Sequence, residues 1–217
     1  MKNVASIIIT VGITLSVSPT QAAIFEFAGV STADAQFNTV TTQPGHGYYS
    51  SFTRINVAWN GGAEVYNSKN WSTDSSPDAL KYTTFTITPQ TGYELGLSSL
   101  AFDSRRSGTG PLNGQVSLFL DGSATPAATY AFLPNSTVTS YTFDFNDVTG
   151  AAGAEFRFYG YGASSVAGTL QFDNVTAFDA FTPVPEPGAC GLVVSGMLLV
   201  FAGWRQWNHR PIQSAAL

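Results

Sequence analysis

The chain has 217 residues, 44% apolar and 11% charged, with a formal net charge of −5; this is material for one ordinary domain with a buried core, not a disordered composition. The lysines are Lys2, Lys69 and Lys81, too dispersed for the clustered cations of a phosphate-binding surface, so nucleic acid is excluded as a partner. The single cysteine, Cys190, lies in the last apolar block, so the body holds no disulfide and depends on its core; this suits an exported bacterial protein better than an animal extracellular one.

Residues 1–22, "MKNVASIIITVGITLSVSPTQA", read as a signal peptide. Lys2 supplies the positive end, Ile7 to Val17 the apolar stretch and Pro19 a break. Thr20 and Ala22 are small residues at the positions a signal peptidase reads, so cleavage is expected after Ala22 or Ala23. The apolar stretch is shorter than the roughly 20 residues of a comfortable span, which favours a removed leader over an anchor.

In the body, residues 23–176, apolar residues recur with period two, the mark of half-buried strands. Phe85 and Ile87 alternate with threonines in "KYTTFTITP". Tyr93, Leu95 and Leu97 then shift phase to Leu100 and Phe102, which predicts a bulge or kink. The same alternation runs through Val116, Leu118 and Leu120, through Tyr141, Phe143 and Phe145, through Phe156 and Phe158, and through Leu170 and Phe172. Turn signals separate these runs at Asn60-Gly61-Gly62, Pro89 to Gly92, Asp121-Gly122, Pro134-Asn135 and Gly150 to Gly153. With no helical pattern longer than a turn or two, the expectation is all-β: a single β-sandwich, jelly-roll-like ectodomain. "IFEFAG" and "LQFDNVTAF" are expected to pair as neighbouring strands and close one sheet.

Chemistry is sparse in this body. His46 is its one histidine, a loop residue in "QPGHGYY", so neither a zinc set nor a Ser-His-Asp triad can be assembled. No closely spaced pair of carboxylates marks a glycosidase, and no catalytic residue is assigned. A structural calcium near the terminal strands would draw on Asp173, with Asn174 and Asp103 as further donors; no other cofactor is expected. Arg105-Arg106, with Asp103 nearby, reads as a positioned loop with a local ion pair, or as a contact to an acidic polysaccharide. Sugar rings stack on exposed aromatic faces. Trp71, in the polar segment "SKNWSTDSSPD", is the expected exposed ring, with Tyr48 and Tyr49 beside it as candidates, whereas Trp59 is expected in the core.

Residues 177–187 read as a linker ending in Val184-Pro185-Glu186-Pro187, where two prolines exclude helix and strand and leave an extended, accessible segment. Residues 188–204 carry no charge. As a helix they span about 25 Å, a transmembrane length once Trp204 and Trp207 sit at the interface and Arg205 snorkels. Arg205 and Arg210 in the tail, residues 205–217, form a basic cytoplasmic stop that leaves the body outside.

Val184-Pro185-Glu186-Pro187, the apolar helix and the basic tail together resemble the PEP-CTERM sorting signal. The tail differs from the family's run of consecutive arginines in holding Arg205 and Arg210 apart. "YTTFTITPQTGYELGLSSLAFDSRRSGTGP" and "LQFDNVTAF" are similar to sandwich domains found with this signal. The resemblance implies a bacterial protein exported to the cell envelope or extracellular matrix. It also implies at least transient anchoring in the inner membrane, an exosortase-type membrane peptidase as partner, and an association with exopolysaccharide or biofilm matrix. The expected function is that of a sorted, non-enzymatic envelope or matrix protein; the alternative is a carbohydrate-binding module for an exopolysaccharide.

Overall fold

The computed structural model describes residues 21–27, 37–38, 45–62 and 65–184. The expected membrane span, Arg205, Arg210, Pro185, Glu186 and Pro187 lie outside the described residues, as does the leader except Gln21 and Ala22. Among the described residues every regular element is a strand. In order these are β1 (Gln21–Phe25), β2 (Phe37–Asn38), β3 (Gly47–Tyr49), β4 (Phe52–Ile55), β5 (Ala58–Trp59), β6 (Tyr66–Lys69) and β7 (Tyr82–Pro89). There follow β8 (Tyr93–Arg106), β9 (Asn113–Leu120), β10 (Ala128–Phe132), β11 (Thr139–Ala151), β12 (Ala154–Tyr161) and β13 (Leu170–Pro183).

The strands form two antiparallel sheets packed as a sandwich. The first runs β11-β8-β13-β6-β5 with β1 also beside β13; the second runs β10-β9-β12-β7-β4-β2 with β3 also beside β7. From β7 onward each connection except β9 to β10 changes sheet. Alternation dictates this packing: along β7, Thr83, Phe85 and Ile87 are buried while Thr84, Thr86 and Thr88 face outward. The expected phase shift is present in β8, where Phe178 pairs with Ser99 but Asp179 with Leu97, so Ser98 is the extra residue. The expected closing pair is also present: Ile24 stands opposite Thr176 and Phe25 opposite Val175.

The linker boundary is corrected. Residues 177–183 belong to β13, with Ala177, Asp179 and Phe181 buried. Asp179 stands at an inward position where the apolar phase calls for a hydrophobe. Pairing at the other end begins at Gln21, opposite Asp179.

Rings fill the space between the sheets. Phe52 meets Phe25, Tyr66, Phe158 and Phe172 with centroids 4.6–6.3 Å apart. Phe102 meets Phe132, Phe158 and Phe172 at 5.2–5.8 Å. Burying each such side chain contributes about 2–3 kcal/mol, and edge-to-face pairing adds roughly 0.5–1.5 kcal/mol per pair. Arg54 is buried at the margin of this cluster, where Nε donates to Ser68 Oγ at 2.7 Å and Nη2 to Asn67 O at 3.0 Å. Its guanidinium lies 3.7 Å from the Tyr66 ring centroid, so one side chain of the second sheet is fastened to β6 of the first.

Candidate functional site

The structure divides the residues expected to touch glycan. Trp71 is fully buried (0% exposed), which removes it from any binding surface. Its Nε1 donates to Ser68 O at 2.8 Å, and its ring packs edge-on to Phe172. The slot exists because residue 160 is glycine: a Cβ there would stand 2.8 Å from Pro111 and 3.1 Å from Trp71. A polar loop can thus carry a tryptophan inward, and its sequence alone did not reveal the glycine behind it. Trp59 is also reversed, being 37% exposed on the short edge strand β5. Tyr49 is buried (1%), whereas its neighbour Tyr48 is 63% exposed, as period two demands of adjacent residues in β3.

Arg105 and Asp173 do come together, on the outer face of the first sheet. Arg105 pairs in register with Gln171, and Asp103 with Asp173. These residues and Val65 and Val138 line a shallow concavity of about 170 Å³. The expected ion pair to Asp103 does not form: Arg105 Nε donates to Gln171 Oε1 at 2.9 Å. Asp103 instead accepts hydrogen bonds from Ser140 Oγ and from Asn174 Nδ2. Asp173 Oδ1 accepts the backbone N–H of Asn174 at 2.8 Å, holding Asn174 in its left-handed conformation at φ 49°. Burial raises the Asp173 pKa, with the charge of Asp103 adding to it. Among the described residues no three His, Cys, Asp or Glu side chains gather as a metal site. Arg106 is a loop clamp, with Nε donating to Pro134 O at 3.1 Å and Nη1 to Ser107 O at 3.2 Å. His46 stacks on Tyr93, centroids 4.2 Å apart.

The outer face of the second sheet holds the more organised chemistry. On β12, Phe156 and Phe158 point inward, so Glu155 and Arg157 point outward. Arg157 grips Glu155 with both prongs, Nε to Oε1 at 2.8 Å and Nη2 to Oε2 at 2.7 Å. Thr84 Oγ1 donates to the same Oε1 at 3.0 Å. The guanidinium lies between two rings, 4.2 Å from the Phe119 centroid and 4.9 Å from that of Tyr82. The hydrogen bond to Glu155 is the main reason its pKa is raised. Tyr82 stands beside Tyr159 at 5.5 Å, and burial raises the Tyr159 pKa. One strand over, Gln115 Nε2 donates to Ser117 Oγ at 3.1 Å, which meets Thr129 Oγ1 at 3.2 Å.

Tyr48 belongs to this same face, because β3 pairs it with Thr88, which points outward with Tyr82, Thr84 and Thr86 of β7. From Thr88 to Tyr82 the strand rises about 20 Å. An exposed ring at one end, a fixed Arg-Glu pair midway, the half-buried Tyr82 ring at the other end and a ladder of hydroxyls between them suit an extended polyhydroxylated ligand. Tyr48 was visible in the sequence. Tyr82 and Arg157 carry no signal of their own in the sequence, although the alternation "AEFRFYGY" places Glu155, Arg157 and Tyr159 on one face.

No family model matches the chain, and no curated protein matches it. Among solved structures it is similar to a CBM4 structure at 12% identity and a TM-score of 0.43, covering 62% of this chain and 87% of that one. It is also similar to a carbohydrate-binding module of family 29 at 13% identity and a TM-score of 0.38, covering 74% of this chain and 90% of the other. What the face can bind is decided by its own residues.

Proposed function

We propose that this is an exported, non-enzymatic protein of the cell envelope or extracellular matrix that binds polysaccharide on the outer face of its second sheet. Its C-terminal tail serves as a sorting signal for an exosortase-type membrane peptidase. The body is read as a jelly roll, on the strand orders β6-β13-β8-β11 and β7-β12-β9-β10.

The observation that carries the binding reading is the Tyr48–Arg157 face. Because Glu155 already neutralises Arg157, the face offers directed hydrogen bonds and ring surface rather than net positive charge. This favours a neutral polysaccharide over the acidic one that Arg105 and Arg106 suggested. The full chain, run on a panel of neutral and acidic polysaccharides by affinity electrophoresis, is expected to be retained by a neutral polymer. Tyr48→Ala and Arg157→Ala should each weaken retention about tenfold, some 1.4 kcal/mol. Retention by no polysaccharide, or unchanged retention in both variants, retires this reading.

The sorting reading is supported by the order of the proline motif, the uncharged block and the basic tail in the sequence. Val184, the first residue of the motif, directly follows β13, and its N–H donates to Gly92 O at 2.8 Å. Mass spectrometry of the C-terminus from cells with and without an exosortase-type peptidase tests it. Loss of the apolar tail only when the peptidase is present is expected; an intact tail in both contradicts it.

A further inference from the structure

Of the acidic side chains among the described residues, Asp179 alone is sealed in the interior, at 1% exposure. It continues the inward phase of β13 set by Val175, Ala177 and Phe181. Neither carboxyl oxygen meets a hydrogen-bond donor at bonding geometry; the polar group facing it is the Tyr49 hydroxyl of β3. Burial pushes the Asp179 pKa up to about 6, against the smaller opposing effects of Tyr49 and of its own backbone N–H, and no cation among the described residues contributes. An interior carboxylate without a counter-ion is costly.

The register of β1 supplies what would neutralise it. Gln21 stands opposite Asp179, Ala22 opposite Phe178 and Ala23 opposite Ala177. Cleavage after Ala22, the position that Thr20 and Ala22 favour, removes the residue opposite Asp179. It also creates an ammonium group at Ala23, two positions along the same strand. Two residues of strand span about 7 Å. The Asp179 side chain covers part of that distance, and a terminus no longer tied to residue 22 can turn inward through the rest. An α-amino group has an ordinary pKa of about 8, so it is charged at neutral pH, and an opposite charge nearby favours the ionised form of both partners.

We propose that Asp179 is the binding site for the α-amino group that leader removal frees at Ala23. Processing then completes the core with a buried ion pair that the leader-bearing chain cannot form. The inference rests on the export reading only through leader cleavage.

The test uses the full chain, expressed with its leader in an exporting host. Its N-terminus is read by mass spectrometry, and the protein is then treated at neutral pH with an amine-selective acylating reagent while labelled peptides are quantified. The expected terminus is Ala23, acylated about tenfold more slowly than in Asp179→Asn, with Lys69 and Lys81 reacting equally in both proteins. Equal rates at Ala23 overturn the proposal while leaving leader cleavage standing. A terminus at Ile24, or a retained leader, overturns it together with the boundary it rests on. Should Asp179→Asn fail to accumulate, the pH profile of Ala23 acylation in the unaltered chain decides. An α-amino pKa about one unit or more above the ordinary value of about 8 supports docking, and an ordinary value overturns it.

Discussion

Gly114 on β9 stands directly opposite Phe132 on β10, with the phenylalanine ring folded across it. A Cβ at position 114 would lie 2.2 Å from Phe132 Cζ and 2.5 Å from Cε1 and Cε2, against an optimum of about 3.5–4.0 Å between carbons. The ring cannot swing aside, because it is 3% exposed and packs against Phe102 at 5.2 Å and Tyr141 at 5.1 Å. Gly114→Ala therefore brings two opposing effects. Alanine removes the roughly 0.5–1 kcal/mol that glycine costs within a strand, while overpacking costs roughly 1–3 kcal/mol. Overpacking wins, for a net loss of about 1–2 kcal/mol. Phe132→Leu deletes the three ring atoms involved, and in that background Gly114→Ala should be neutral or stabilising by up to about 0.5 kcal/mol. Urea unfolding of the four proteins, followed by tryptophan fluorescence, measures the cycle. A coupling below about 0.5 kcal/mol, the level of independent sites, would refute the steric reasoning.

Three further outcomes are expected. Trp71→Ala empties the slot beside Gly160 and should cost about 3–5 kcal/mol in urea unfolding; a loss under 1 kcal/mol would mean that the ring is not core. Arg54→Lys keeps the charge but loses the planar fork that serves Ser68 Oγ and Asn67 O, so a loss of about 1–3 kcal/mol is expected in the same assay. The third concerns pH, in the chain that still carries residues 21 and 22. There the Asp179 pKa of about 6 exceeds its usual 3.8, so the folded form holds the proton more tightly than the unfolded form. The stability this provides is full below about pH 4 and is lost as pH rises through 6, a change of about 3 kcal/mol. Asp179→Asn should abolish that decline and be the more stable protein at pH 7; parallel pH–stability curves for the two would contradict it.

Much of the fold was legible because a strand's side chains must alternate. The runs around Phe85, Val116, Phe156 and Leu170 all proved to be strands. The phase change between Leu97 and Leu100 proved to be a true bulge, since a ladder can absorb an odd residue only by leaving it unpaired. Pairing of the first and last strands was also readable, because each carries an apolar run with no other partner near in sequence. The site was less legible. Trp71 and Trp59 exchanged places, since the fate of a ring beside a turn depends on what lies behind it. Gly160 and Pro111 are some 40 to 90 residues away along the chain, and only the packed sandwich brings them to Trp71. The end of β13 is hard to read locally for a related reason: period two assigns Asp179 to the interior, while its charge argues against the interior.

By itself, then, the sequence determined strand identity, the bulge and the all-β class, because these follow from local periodicity and steric limits on the backbone. It also carried the terminal segments whose order points to export and sorting. Only the tertiary structure decided which face of each sheet is outermost and which rings remain exposed. It decided, too, that Tyr48 and Arg157 share one face and that Asp179 lies within reach of the first strand. Those relations join residues far apart in the chain, and they come into being only when the two sheets close on a common core.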